Sequence, residues 1–508
     1  MYKLKLSSAL EEGFFFIYHA ARALLIVTPV LLWVSCDDTV YVDISSQPSV
    51  ERKIVDRILA AELPEGFCFT DEKAKAGLSI VAAISDWTHG ALAIPDSKTQ
   101  PITANSRWYA PEVPFASTVF EVSAAEAEIN CALRPLESIT LPQRGVAVDG
   151  LYPGETGYPF RRDTVLFVEQ NPEIGAGAET VAKLESWLGS FSYTDTDPGL
   201  LWFAAVGDMM PGRGVSSILQ SESGLDTVFS DTLPYLENAD ILAGNLEGAV
   251  TNGGRIAEKS YTFRFAPEIL KPLKKAGFDY LSLTNNHSYD FGKTGFLDTL
   301  NHLEESGIKT SGAGIDPVSA SEPSNFTVNG AEIRILSIGA YPPERNGFDG
   351  MRIASVNESR PGILWADENG LKAVKSAFSK DSFNILMVHG GIEWSTKPSP
   401  EQRELYHRFI ELGADAVIGS HPHYLHGFET YKGGLIAHSL GNFIFPGMEE
   451  TAYGEESLIL LLGISDGKIR YLRPVPVQID GKRLSVDRSG KILERVFQRT
   501  AALQETSS

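Results

Sequence analysis

GADAVIGSHPH, residues 413–423, runs through Ala416, Val417 and Ile418 without polar alternation and then stops at two histidines, His421 and His423. An apolar run of that kind reads as a strand buried on both faces, as in parallel sheets covered by helices. Ligands of open α/β sheets bind beyond the carboxyl ends of such strands, so the residue that leaves each strand is the informative one. Other runs end the same way: FAAVG at Asp208, ILAGNL at Glu247, YLSLTN at Asn286 and His287, and ILMV at His389. Carboxylate, amide and imidazole suit Mn, Fe, Zn or Mg, and no thiolate stands among them, which argues against a structural zinc.

The same grammar extends across residues 200–480. The runs LLWFAAVGD, DILAGNLEG, DYLSLTNNH, IRILSIGAY, FNILMVHGG and GGLIAHSLGNFIF alternate with helical patterns such as APEILKPLKKAG, TGFLDTLNHLEESG and SPEQRELYHRFIELGA. This predicts a layered α/β domain. Residues 192–199, SYTDTDPG, carry no periodicity and read as a linker. Before it, residues 48–191 read as a smaller mixed α/β domain, with strands at LSIVAAIS, STVFEVS, GVAVDG and DTVLFVE and a helix at GAETVAKLESWLGSF. Its order resembles half of a periplasmic solute-binding domain, and no catalytic constellation stands in it. Residues 481–508 read as a polar tail with a short helix near GKILERVFQRTAAL.

The amino end, residues 1–36, carries ALLIVTPVLLWVS behind Arg22, the length of a secretory apolar core but short of a spanning helix, followed by Cys36. It is read as a signal peptide, a lipoprotein signal acylated at Cys36, or an uncleaved anchor. Each places the remainder outside the cytoplasmic membrane and ties it to the membrane through the amino terminus. With 44 basic against 65 acidic residues the net charge is −21, which excludes nucleic acid as a partner. Cys36, Cys68 and Cys131 lack metal-ligand spacing; Cys68 and Cys131 are left open as a disulfide or two free thiols.

His421 and His423 flank Pro422, and a turn there aims one imidazole at each of two neighbouring ions, which suggests a dinuclear site. AAVGDMMPGR, ADILAGNLEG, SLTNNHSYDFG, HGGIEW, GADAVIGSHPH and HSLGNFIF resemble, in order and spacing, the motifs of the CapA-type family of poly-gamma-glutamate capsule synthesis proteins, within the calcineurin-like metallophosphoesterase superfamily. The resemblance covers about residues 200–473. It implies a four-layered α-β-β-α sandwich with one or two divalent metal ions at the strand ends. It also implies Asp208, Glu247 and His423 as ligands of a first ion, and Asn286, His389 and His421 as ligands of a second, with Glu247 between them. His287 becomes the general acid and Asp290 the partner that orients it; Arg213 is a candidate anion clamp, and Glu393 an extra ligand or base. Where the superfamily carries Asp-x-His, this chain has Asp208-Met209-Met210, so the first ion lacks one imidazole. The implied partners are poly-gamma-glutamate or another anionic envelope polymer and capsule-synthesis membrane proteins. Two other readings stay open: a phosphoesterase for a small extracytoplasmic substrate, and a non-catalytic polymer-binding scaffold.

Overall fold

The computed structural model describes residues 102–505 apart from 157, 171–172, 174–175, 191–198 and 345–346, with isolated stretches before residue 102. Cys36 and most of the amino-terminal segment lie outside the described residues. Among those described, no helix is long and apolar enough to cross a membrane.

The chain forms two compact units whose segments interleave: residues 1–110 with 151–198, and residues 111–150 with 199–508. The stretch 48–191, expected as one domain, is therefore shared. Residues 111–150 meet the rest of the second unit through an aromatic contact and a buried arginine. Buried Arg144 donates to Ser117 O and Val119 O (2.7 and 2.8 Å) and covers the Phe120 ring. That ring meets Phe497 with centroids 5.4 Å apart. Buried Arg470 donates to Glu137 O and Ile139 O. In the first unit, Arg161–Gln170 pairs antiparallel with Leu78–Ile84 and with Ile102–Pro114, and the helix Ala178–Gly189 buries Val181, Leu184 and Leu188. Cys131, in the second unit, is a free thiol.

Two sheets stack in the second unit. In one, Leu201–Met209, Ile241–Leu246 and Phe278–Ser282 run parallel, and the antiparallel Glu456–Ser465 and Lys468–Asp480 extend it. In the other, Ala331–Ala340, Phe383–Gly390, Ala416–Ser420 and Gly434–Ala437 run parallel, with antiparallel strands at both edges. Strand alternation separates the layers. Phe203, Ala205, Ile241 and Ala243 pack between the sheets against Ile333, Ile385, Ile418 and Ala437. Their neighbours Ala204, Val206 and Leu242 face outward onto Leu219, Leu273, Phe296 and Leu303 from the outer helices. On the far side, Leu336, Leu386 and Val417 meet Leu371, Val374, Tyr406 and Phe409. The result is the α-β-β-α sandwich.

Residues 481–508 are more than a polar tail. Arg483–Val486 extends the first sheet, and Lys491–Glu505 is a helix with Ile492, Val496, Phe497 and Leu503 buried. Its apolar residues recur at helical spacing, so a mostly polar composition still folds down by one face.

One glycine sets the distance between the site strands. A Cβ on Gly207 would lie 2.0 Å from Gly441 O, the carbonyl that accepts from Asp208 N–H at 2.9 Å. That contact lets the segment leading into Asn442–Ile444 run alongside Asp208 and Met209. Gly207→Ala is expected to cost about 2–4 kcal/mol through backbone displacement, read as a lower urea midpoint at unchanged slope.

Candidate metal centre

The strand ends deliver their side chains to one buried place. Donor atoms of Asp208, Glu247 and His423 lie within 4.8 Å of one another. Asp208 Oδ1 accepts from Asn245 Nδ2 at 2.8 Å, and Oδ2 accepts from His421 N–H at 3.1 Å and lies 3.3 Å from His423 Nδ1. Glu247 is wholly buried, and both of its carboxylate oxygens lack a hydrogen-bond partner. An ionised carboxylate left so is costly, which makes it the strongest sign that a cation belongs beside it.

A second set converges nearby. His389 Nε2 stands 3.0 Å from Asn286 Oδ1 and 3.0 Å from His421 Nδ1. One ring proton serves only one of those two acceptors, so lone pairs remain turned on a common point. Asn286 gives its amide N–H to Glu344 Oε1 at 3.2 Å, which leaves the oxygen for that point. His421 and His423 both adopt left-handed backbone, with φ of 98° and 61° around Pro422. Strain of this kind is held only where the surroundings impose it. It sends His421 to His389 and His423 to Asp208.

His287 and Asp290 also meet: Nδ1 lies 2.6 Å from Asp290 Oδ2, and Nε2 lies 3.7 Å from Glu247 Oε1. Phe263 stacks on the imidazole with centroids 4.1 Å apart. Arg213 is exposed at the rim; it donates to Pro446 O at 2.6 Å and lies 5.9 Å from the Phe263 ring. Glu393, half-buried on the following loop, is near enough to raise Glu247 and His423 by its charge. Met210 turns away into the outer hydrophobic layer beside Phe265, so the first set holds no imidazole from that position.

Sequence reasoning missed several contributors. Lys259, with no exposed side chain, reaches Asn286 O (2.7 Å), Asp290 Oδ1 (2.9 Å) and Glu344 Oε1 (2.8 Å). It sits in an aperiodic loop, where nothing in the pattern marks it. Asn245 was findable, as an amide inside the apolar run ILAGNL two residues before Glu247. Asn285 donates to Asn245 Oδ1 and Leu246 O. His438 faces Glu429 at 2.9 Å instead of the pocket, and His407 joins the same carboxylate at 2.7 Å.

Residues 203–447 match the family model described as bacterial capsule synthesis protein PGA_cap. The chain is 33% identical over 291 residues to the capsule biosynthesis protein CapA of Bacillus anthracis, covering 55% of this chain and 67% of that protein. The chain belongs to this capsule-synthesis family. It is also 32% identical to the PGA biosynthesis protein CapA of Bacillus subtilis (strain 168), over 47% of this chain and 62% of that one. Among solved structures, it is similar to one described as a novel phosphatase from Mycoplasma pneumoniae, with 16% identity, a TM-score of 0.35, and coverage of 58% of this chain and 96% of that chain.

In this family member the charges of the cluster are set by burial and by each other. Burial pushes Glu247 well above the usual carboxylate range, and the neighbouring Asp208 adds to it. Burial opposes ionisation of Asp208 too, but His423, His389 and the Asn245 amide outweigh it and keep Asp208 low. Burial drives His389 down to about 3 and His421 well below its ordinary value, so both offer neutral lone pairs. His423 goes the other way: burial opposes its charge, yet Glu247 and Asp208 raise it to about 9. The imidazolium thus stands in for a cation when no ion is bound. A histidine raised from 6.5 to about 9 stabilises the fold fully below pH 6.5, and that contribution is lost as the pH rises to about 9. Urea unfolding in a chelator is therefore expected to show stability falling across that window by on the order of 3 kcal/mol, with the fall absent in His423→Asn.

Proposed function

We propose that this capsule-synthesis protein binds one or two divalent ions in the buried cluster and acts there, as a metal-dependent hydrolase-like site, on poly-gamma-glutamate or its attachment. The names of the Bacillus relatives support the pathway. The observation that carries the site is the buried Glu247 carboxylate, both oxygens unpartnered, beside Asp208 and His423. Asp208, Glu247 and His423 would hold one ion and Asn286, His389 and His421 another. Hard oxygen and neutral imidazole donors fit Mn, Fe, Zn or Mg. Such an ion, when bound, acts as a Lewis acid toward an anionic or carbonyl oxygen.

The chain's own residues supply the rest. Asp290 accepts from His287 Nδ1, so Nε2 faces the pocket with the lone pair that takes up a proton before passing it on. Burial and Lys259 lower the pKa of His287 against the opposing pull of Asp290, so it rests neutral and donates a proton only after taking one up. Phe263 covers one face of that imidazole and keeps water from it. Arg213, exposed at the rim, offers a guanidinium to an anionic group entering the pocket.

Elemental analysis of the purified chain is expected to give about two ions, reduced in both Asp208→Ala and His421→Ala. One ion, lost only in His421→Ala, would mean that the set without a Met210 ligand is empty. No ion at all would favour the polymer-binding scaffold. His287→Ala should leave metal content intact and slow shortening of poly-gamma-glutamate about 100-fold or more.

We also propose an extracytoplasmic location, with attachment to the membrane through residues 1–36 and with membrane proteins of capsule synthesis as neighbours. Mass spectrometry of the native amino terminus is expected to find a diacylglyceryl group on Cys36 or an intact apolar segment in the membrane fraction. An unmodified Met1 on a protein in the soluble fraction would overturn it.

A further inference from the structure

Beside the pocket lies a line of aromatic side chains to which no role above gives a use. Trp394 stacks on His423 with ring centroids 4.9 Å apart and 30° between planes, yet stays 37% exposed. Its φ is 64°, a left-handed backbone that a bulky residue adopts only under constraint, and its N–H is tied to Pro422 O at 2.9 Å. Tyr424 meets the indole edge-on at 5.8 Å, and Tyr453 meets Tyr424 edge-on at 5.7 Å. Tyr453 is again exposed, at 41%, and again left-handed, with φ of 61°. Two guanidiniums from the Lys491–Glu505 helix, Arg495 and Arg499, lie 4.8 and 5.4 Å from the Tyr453 ring centroid. Arg495 pairs with Glu456 at 2.9 Å, and Arg499 donates to Leu425 O.

Packing does not require two exposed aromatics on strained backbone. Water would favour neither, and a hydrophobic core gains nothing from the half of each ring that stays outside. Their order is informative: imidazole of the metal cluster, indole, phenol, phenol, then a pair of cations. Flat π-faces accept methylene and amide groups, and guanidiniums accept carboxylates in a planar fork. At the far end Arg495 shares Glu456 and Arg499 holds Leu425 O, and each guanidinium keeps further N–H groups that a carboxylate can engage.

We infer that Trp394, Tyr453, Arg495 and Arg499, with the buried Tyr424 packed between the two exposed rings, form an extended binding track for a chain of carboxylate-bearing units joined by short apolar linkers. Its reacting unit enters the metal pocket, its linkers lie along the rings, and a carboxylate several units away reaches the arginines. The inference rests on the polymer reading proposed above and deepens it, because it assigns a substrate length that the pocket alone does not demand.

The test is calorimetric titration of the metal-loaded full chain with γ-linked glutamate oligomers of increasing length, beside Tyr453→Ala, Arg499→Gln and Arg499→Lys. Metal content and thermal unfolding are checked for each variant. Wild-type affinity is expected to rise with length and then level off. Tyr453→Ala and Arg499→Gln should bind the long oligomers about tenfold more weakly and the shortest as wild type does, with Arg499→Lys recovering part of the loss. Equal affinities of wild type and variants at every length would overturn the track and leave the polymer reading standing. No binding of any oligomer by the wild type would overturn both. A neutral β-linked N-acetylglucosamine oligomer that binds in a Tyr453-dependent way would overturn the anionic occupant and give the track to sugar rings.

Discussion

Two buried carboxylates, Asp208 and Glu247, govern the rest of the second unit. Ordinary hydrogen bonding satisfies only one of them: Asp208 has an amide, a backbone N–H and an imidazole, while neither carboxylate oxygen of Glu247 has a hydrogen-bond partner. Burying them is tolerable only if cationic or polarisable groups face them from every side. That requirement explains why five strands of two sheets all finish at one point. It also explains the left-handed backbone at His421 and His423, which the surrounding sandwich holds in place.

The sandwich provides rigidity because each strand is clamped on both faces. Phe203 and Ala205 face the second sheet while Ala204 and Val206 face the helices, so Asp208 cannot shift along its strand without dragging both layers. Gly207 shows how little slack there is, with Gly441 O occupying the space a methyl group would need. A site assembled from strand ends inherits that precision. Loops then add what is adjustable: Phe263 over His287, Trp394 over His423, and Arg213 at the rim.

Much of this was legible in the sequence. Apolar runs mark strands buried on both faces, and a ligand-type residue leaving such a run has few other reasons to be there. Hence Asp208, Glu247, Asn286, His389, His421 and His423 could be named from pattern alone, and the structure brings them together. Lys259 could not, because its loop has no period and its burial depends on Asp290, Glu344 and the Phe348 ring, all distant in sequence. Nor could the division of residues 48–191 between two units. That depends on where Arg470 finds carbonyl oxygens and where Phe120 meets Phe497, which are tertiary facts. The tail misled for a related reason: Ile492, Val496 and Phe497 are few among polar neighbours, yet they lie on one helical face.

The proposed action of so acidic a protein on an acidic polymer poses a physical difficulty, and the charges near the pocket sharpen it. Lys259 is the one buried ammonium among the described residues of the site, and Asp290 and Glu344 both draw on it, so it lends little field to a substrate. His423 is the other cation, and it stands between Asp208 and Glu247. Without bound ions the two cations face Asp208, Asp290 and Glu344, so the pocket is negative, and more so as Glu247 ionises. A carboxylate approaching it would be repelled over the short range at which interior charges act strongly. Divalent ions reverse that sign, and they do so before any bond is made or broken. In this chain the same ions that could polarise a reacting group are therefore also what would let an anionic substrate enter, with Arg213 at the rim.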